Sequence, residues 1–268
     1  MSDKEINKRA LLIGIDYVGD KYELNGCVND INNMNLLISS LGFKDIKVLK
    51  DRGNLNRSSH PTAHNIKLEL DRLCNGKPNQ QLYAHYAGHG IGIADNNGDE
   101  IDGRDECLVP KNYTRGYIRD DDIALLIRDL HKTSKLDMCF DCCHSGTICD
   151  LPYNYEYRNG KVIRTYSKAS ANPFLNRNDI GEIVVMSGCL DKQTSKEIRW
   201  PSGQKEGAFS GALRRYLALN KNASCYDILV SINRTVASKG VRDQTVVISS
   251  NVDMSLEDLK KRKFFNGE

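Results

Sequence analysis

Two hydrophobic periods alternate along the chain. Ala10-Leu11-Leu12-Ile13-Gly14-Ile15-Asp16 is a nearly continuous apolar run, the pattern of a strand buried on both faces. Cys27 to Leu41 then carries apolar residues at Val28, Ile31, Met34, Leu37, Ile38 and Leu41, a helical spacing that Gly42 ends. Ile46 to Leu49 reads as a second strand. Thr62 caps a helix with Ile66, Leu70 and Leu73 on one face. Gln81 to Ala87 and Leu136 to Asp141 are further strands. Between them Asp120 to Asp122 open a helix with Ile123, Leu126, Ile127 and Leu130 inward, acids that suit its N-terminal dipole. Leu151 to Asp179 dissolves into Tyr, Asn, Arg, Lys and Ser and is expected to be a long loop. Order returns with the strand Glu182 to Met186, helices over Ala208 to Leu219 and Tyr226 to Ala237, and a last strand from Gln244 to Ile248.

Strands alternating with helices predict an α/β fold, a mostly parallel β-sheet with helices on both faces. One domain over residues 1–268 is expected: a larger region 1–150, a linker loop 151–179 and a smaller region 180–268 that extends the same sheet.

With 268 residues, the chain can bury a core without disulfide or metal staples. It contains 38 basic and 35 acidic residues, a balance that gives no reason to expect a nucleic-acid partner. No apolar run approaches the roughly 20 residues of a membrane span, and residues 1–9 do not read as a secretory signal. A cytoplasmic monomer with reduced thiols is expected. Its nine cysteines are then each core filler or nucleophile. The basic run Lys260 to Lys263 reads as a solvated helix end.

The candidate chemistry sits just past two strands. Gln81–Ala87 runs into Gly88-His89-Gly90, and Leu136–Asp141 runs into Cys142-Cys143-His144-Ser145-Gly146. Open parallel sheets bind ligands at the carboxyl ends of their strands, so a histidine and a cysteine are both delivered to that edge. A histidine within reach of a thiol can favour its thiolate and later protonate a leaving amine. Zinc is disfavoured, because contiguous Cys142, Cys143 and His144 cannot easily converge on one tetrahedral ion and no CxxC pair occurs. Cys139, Cys74, Cys107, Cys189 and Cys225 read as core thiols. Cys142 reads as packing, with a resolving thiol as its alternative. Asp95 to Asp122 is strongly acidic and lacks the EF-hand pattern; hard oxygen donors in such a stretch suit Ca²⁺.

Several segments resemble the metacaspases, caspase-like cysteine peptidases. His85-Tyr86-Ala87-Gly88-His89-Gly90 resembles their H-Y-S-G-H-G segment, and Asp141-Cys142-Cys143-His144-Ser145-Gly146-Thr147 resembles D-S-C-H-S-G-T. Gly26-Cys27-Val28-Asn29-Asp30 matches G-C-x-N-D. Asp99 to Glu106, Asp150 to Tyr153 and Ser187 to Ser195 have counterparts in family order, so the likeness spans roughly Arg9 to Ile248. The resemblance implies a caspase-like sandwich with Cys143 as nucleophile and His89 as general base. It also implies an S1 pocket of Cys27, Asp30, Asp141 and Ala87, the last in place of the family's serine.

Two pocket carboxylates suit Arg or Lys and reject Asp. Backbone N–H groups of Gly88 and Cys143 are expected to form the oxyanion hole. Ca²⁺ activation is implied, with Asp105, Asp120, Asp121 and Asp150 as ligands and Asp102 and Asp122 as substitutes one residue out of register. No organic cofactor is expected. The expected function is a Ca²⁺-activated cysteine endopeptidase cutting protein substrates after Arg or Lys through an acyl-enzyme. Autoprocessing is expected in 151–179 at Arg158, Lys161, Arg164, Lys168 or Arg177. The alternatives are a non-catalytic caspase-fold scaffold that binds basic peptides and a calcium-responsive interaction protein.

Overall fold

The computed structural model describes residues 6–94, 103–143, 148–167, 171–190, 196–241 and 243–265. The chain runs through β1 (Asn7–Gly14), α1 (Cys27–Ser40), β2 (Asp45–Lys50), α2 (Ala63–Leu73) and β3 (Gln80–Ala87). There follow β4 (Gly90–Ala94), β5 (Arg104–Leu108), β6 (Ile118–Arg119), α3 (Asp120–Ile127) and β7 (Lys135–Asp141). The remainder comprises β8 (Tyr153–Arg158), β9 (Lys161–Tyr166), β10 (Glu182–Ser187), β11 (Glu197–Arg199), β12 (Lys205–Gly207), α4 (Ala208–Leu219), α5 (Cys225–Ser238), β13 (Val247–Ser250) and α6 (Leu256–Lys261).

An eight-stranded sheet in the order β2-β1-β3-β7-β10-β13-β8-β9 forms the centre. β2, β1, β3, β7 and β10 pair in parallel, and β13, β8 and β9 continue the sheet antiparallel. Alternate residues of the central strands feed opposite cores. Ala10, Leu12, Tyr83, Cys139 and Val184 pack with α1, α4 and α5, while Leu11, Ile13, Leu82, Met138 and Val185 pack with α2 and α3. The continuous apolar runs are thus explained by a sheet covered on both faces. The expected helices form: Thr62 accepts the Asn65 N–H at 3.2 Å to cap α2, and α3 begins on Asp120.

The expected loop 151–179 is not a loop throughout. Residues 153–166 form the β8–β9 hairpin that closes one end of the sheet. Its turn is Asn159-Gly160, with φ of 49° and 80°. That dipeptide supplies the positive φ values of a two-residue turn whose twist suits paired strands. In each strand one residue, Tyr155 or Val162, is buried, so a polar composition hid the alternation.

The last strand lies at Val247–Ser250, a little later than expected. The basic run is not uniformly solvated either. Arg262 is buried, and its Nη2 donates to Asp137 at 2.7 Å while Nε pairs with Glu182. Asp137 also accepts from Gln81 Nε2 at 2.7 Å and from the Phe265 N–H at 3.2 Å, so the C-terminal segment is tied beneath the sheet. Among the described residues no helix is long and apolar enough to cross a membrane.

Candidate active site

The parallel register of β3 and β7 creates the site. It sets Ala87 opposite Asp141, and in each strand the second residue beyond is the one of interest, His89 or Cys143. The chain leaves β1 toward β2 on one side and returns as β3 on the other, so this edge lies at a reversal of strand order, where open α/β sheets form clefts.

His89 is held in one orientation. Its backbone N–H donates to Tyr17 Oη at 2.8 Å, and its ring lies 4.6 Å, centroid to centroid, from the Tyr17 ring. Ring Nε2 is 2.8 Å from the Tyr22 carbonyl oxygen. A carbonyl only accepts, so Nε2 carries the hydrogen and Nδ1 of the neutral ring keeps its lone pair. Tyr17 is itself fixed, its hydroxyl donating to the Val109 carbonyl at 2.6 Å.

Cys143 is half-buried at the same edge, whereas Cys142 is fully buried in the α2–α3 core and its carbonyl accepts from Cys189 Sγ at 3.1 Å. Cys139, Cys74, Cys107, Cys189 and Cys225 are buried, as expected. His144 lies outside the described residues.

A pocket of about 210 Å³ opens beside Cys143 and His89. It is lined by Leu24, Cys27, Asp30, Gly88, Asp141, Lys196, Glu197 and Gly207 as well. Asp30, in the first turn of α1, is buried, and its two oxygens accept the Gly207 N–H at 2.9 and 3.1 Å. Burial foremost, and then the negative charge of Asp141, holds its carboxyl well above the usual range. Asp141 Oδ2 accepts the Ser210 N–H at 2.9 Å and so supplies the cap that α4 lacks in its own sequence. Gly207 makes this approach possible: a Cβ there would overlap Asp141 Oδ2.

Glu197 is a third acid that the sequence reading missed. Its Oε1 accepts the Asn25 and Gly26 N–H groups at 2.9 and 2.5 Å, beside the start of α1. Its only signal was proximity to the recognised Ser187–Ser195 segment. Lys196 lies in an ion pair with Asp243 at 2.6 Å. The first histidine of the His85–Gly90 segment also has a place: His85 bridges Tyr83 Oη at 2.7 Å and Ser210 Oγ at 2.9 Å. Burial pushes its pKa down to about 3, so it joins α4 to the sheet as a neutral ring.

Two expected assignments change. Ala87 is buried in the α1–α4–α5 core and does not line the pocket, because β3 pairing turns it inward. The Gly88 N–H donates to the Asp141 carbonyl at 3.3 Å, so the sheet ladder occupies the donor expected for the oxyanion hole. The glycine against the nucleophile candidate is Gly90, where a Cβ would overlap the Cys143 carbonyl oxygen.

The acids expected to bind Ca²⁺ fall around the start of α3. Asp105, Asp120 and Asp150 are buried. Arg119 Nη1 approaches Asp105 at 3.0 Å, and Asp120 accepts the Glu106 and Asp121 N–H groups at 3.1 and 2.8 Å. Burial, with the charges of Asp105 and Asp121 adding, pushes Asp120 up to about 7. Buried oxygen donors of like charge fit Ca²⁺ in chemistry. Their oxygens are not gathered, however. Among the described residues the one trio of ligand-type atoms within 4.8 Å of one another is Asp16, Cys27 and Glu197. There Asp16 is already paired with Arg52 at 2.5 Å. Of the substitutes, Asp122 pairs with Lys67 at 2.7 Å, and Asp102 lies outside the described residues, as do Asp95, Asp99 and Glu100.

Comparison with known proteins shows the family and the fold. A family model described as metacaspase, peptidase C14 domain, matches residues 8–152. A protein named metacaspase-1 from Scheffersomyces stipitis is 30% identical over 93% of this chain and 72% of its own length. Metacaspase-1A of Aspergillus fumigatus is 32% identical over 93% of this chain and 70% of its own length. Among solved structures, a protein from Geobacter sulfurreducens aligns with a TM-score of 0.64 at 21% identity, covering 96% of this chain and 97% of its own. Caspase-1 from Spodoptera frugiperda aligns with a TM-score of 0.54 at 13% identity, covering 92% and 88%. The fold is therefore caspase-like, and the chain belongs to the metacaspase, peptidase C14, family of cysteine-type endopeptidases.

Proposed function

We propose that this peptidase cuts after Arg or Lys, with Cys143 as nucleophile and His89 as general base. The observation that carries the reading is the set of carboxylates, Asp30, Asp141 and Glu197, in the pocket that opens beside Cys143. A guanidinium or ammonium entering there meets opposite charge, and an Asp side chain meets like charge.

Nδ1 of His89 takes the Cys143 proton, and the thiolate sulfur adds to the scissile carbonyl carbon. The Cys143 and Gly90 N–H groups are the donors proposed for the oxyanion. The C–N bond then breaks as His89 returns the proton to the amine nitrogen. Water deprotonated by His89 attacks the thioester and releases the acid and the free thiol.

Ca²⁺ activation belongs to the same reading. Asp105, Asp120, Asp121 and Asp150 would hold the ion once their oxygens are drawn together, and it would supply positive charge beside Asp120, whose carboxyl the charges of Asp105 and Asp121 repel. The test is turnover of fluorogenic Arg, Lys and Asp peptide amides by wild type and Cys143→Ala, with and without millimolar Ca²⁺. Cleavage of the Arg and Lys peptides, dependent on Cys143 and raised by Ca²⁺, is expected. Cleavage of the Asp peptide, or activity retained in Cys143→Ala, would overturn it.

A further inference from the structure

A second pocket, of about 390 Å³, adjoins the first and, among the described residues, shares with it the single lining residue His89. Its walls have the opposite chemistry. They are Tyr17, Tyr22, Tyr113, Tyr117, Ile91 and Val109, with Gly90 at the His89 end, and among the described residues no carboxylate, ammonium or guanidinium lines it. Tyr22 and Tyr117 are 55% and 39% exposed, so large aromatic surface stands open to solvent beside the reacting groups. The other walls are fastened. Tyr17 is held by Val109 and His89, and Tyr113 Oη donates to Asp20 at 2.8 Å.

The order of chemical events decides what each pocket receives. The half of the substrate that stays on Cys143 is the acyl half, and its last side chain occupies the acidic pocket. The half that leaves is the amine, which takes its proton from His89. The peptide must therefore pass Cys143 before His89. The first side chain beyond the scissile bond emerges on the far side of the imidazole, where the tyrosine walls stand.

We propose that the Tyr17–Tyr22–Tyr113–Tyr117 pocket is the subsite for the residue directly after the scissile bond, and that it selects an aromatic or large aliphatic side chain there. This rests on the Cys143–His89 reading and adds to it a specificity on the leaving side. An apolar ring gains by leaving water and by edge or offset contact with the tyrosine rings. Glycine gains nothing there. A carboxylate would lose hydration, and among the described residues no cation is in the lining to replace it.

The experiment uses internally quenched peptides that share one acyl sequence ending in Arg and carry Phe, Leu, Gly, Lys or Asp directly after it. The corresponding Arg coumarin amide, which has no residue in that position, serves as control. Phe and Leu peptides are expected to exceed the Gly peptide in kcat/KM by at least about tenfold, the scale on which an apolar pocket discriminates, with Asp lowest. In Tyr117→Ala the Phe-to-Gly ratio should fall to within about threefold, and in Ile91→Trp, which fills the pocket, Gly should overtake Phe. Equal rates across the wild-type series, a preference for Lys or Asp, or a ratio unmoved by both variants would overturn the subsite. The control separates the two claims. A coumarin amide left uncut defeats the Cys143–His89 reading, whereas a coumarin amide cut alongside a flat peptide series defeats only the pocket.

Discussion

At Asp30, burial and a neighbouring charge raise one carboxyl together, and the opposite charge of an arriving cation would act against both. Desolvation and, next, the charge of Asp141 both disfavour the ionised form and hold the Asp30 carboxyl well above the usual range. On the proposed specificity for Arg or Lys, a bound guanidinium would favour the carboxylate, so that binding a basic substrate would release a proton. The sign follows: kcat/KM on Arg substrates should climb with pH above the ordinary carboxylate range, until Asp30 is ionised in the free enzyme. Asp30→Asn should lose that limb. It should also lower kcat/KM by about 10- to 100-fold, the worth of one charge-assisted hydrogen bond. Parallel pH–rate profiles of the two proteins decide it, and superimposable profiles would refute it. Gly90 makes a steric case. A Cβ there would overlap the Cys143 carbonyl. Gly90→Ala should therefore lose about a hundredfold in kcat, as expected for a displaced nucleophile, while circular dichroism reports a folded protein.

At the scale of elements, the β8–β9 hairpin changes where self-cleavage is to be sought. A peptidase cleft takes an extended strand with free backbone groups. Arg158, Lys161 and Arg164 sit in paired strands instead, and Arg158 and Arg164 form ion pairs with Glu156 and Asp253. Arg177 also forms an ion pair, with Asp179 at 3.2 Å, and donates to the Arg128 carbonyl at 3.0 Å, but it lies beyond the hairpin, exposed and outside any strand or helix, so its backbone is not held in a ladder. Lys168 is outside the described residues. Ca²⁺-treated wild type should yield fragments ending at Arg177 and none ending within the hairpin, while Cys143→Ala stays whole. Mass spectrometry reads this directly, and a wild type that also remains intact would rule self-cleavage out. The hairpin was partly legible: Asn159-Gly160 is a turn signal, and Tyr153 to Tyr157 alternates. Its buried side chains are tyrosine and valine among lysines and arginines, so hydrophobicity alone did not reveal the period.

Across the whole molecule, the C-terminal segment is tied to the centre of the sheet by a buried ion pair. Asp137 is fully buried, and burial raises its carboxyl while Arg262 pulls the other way. Removing one partner strands a buried charge. Arg262→Ala should therefore cost about 3–5 kcal/mol of unfolding free energy, and the double variant Arg262→Met with Asp137→Leu should recover much of it. Chemical denaturation of the three proteins measures this. A double variant no better than the single would mean that the loss comes from the hydrogen bonds Asp137 accepts from Gln81 and the Phe265 N–H rather than from a stranded charge.

The buried strands, the alternation with helices and the delivery of His89 and Cys143 to strand ends were all legible in the chain. Each depends on a local period, and strands with continuous apolar runs that alternate with amphipathic helices bury them in a parallel sheet covered on both faces. The acidic pocket was legible only through resemblance. Asp30 alone reads as an exposed helix acid. It becomes a pocket wall because Gly207 and Asp141, distant in sequence, close over it. Glu197, the occupied Gly88 N–H, the inward Ala87 and the tyrosine pocket were decided by tertiary structure alone. Burial of a polar group and the partner of an N–H depend on which strands pair and in what register, and no local pattern carries that information.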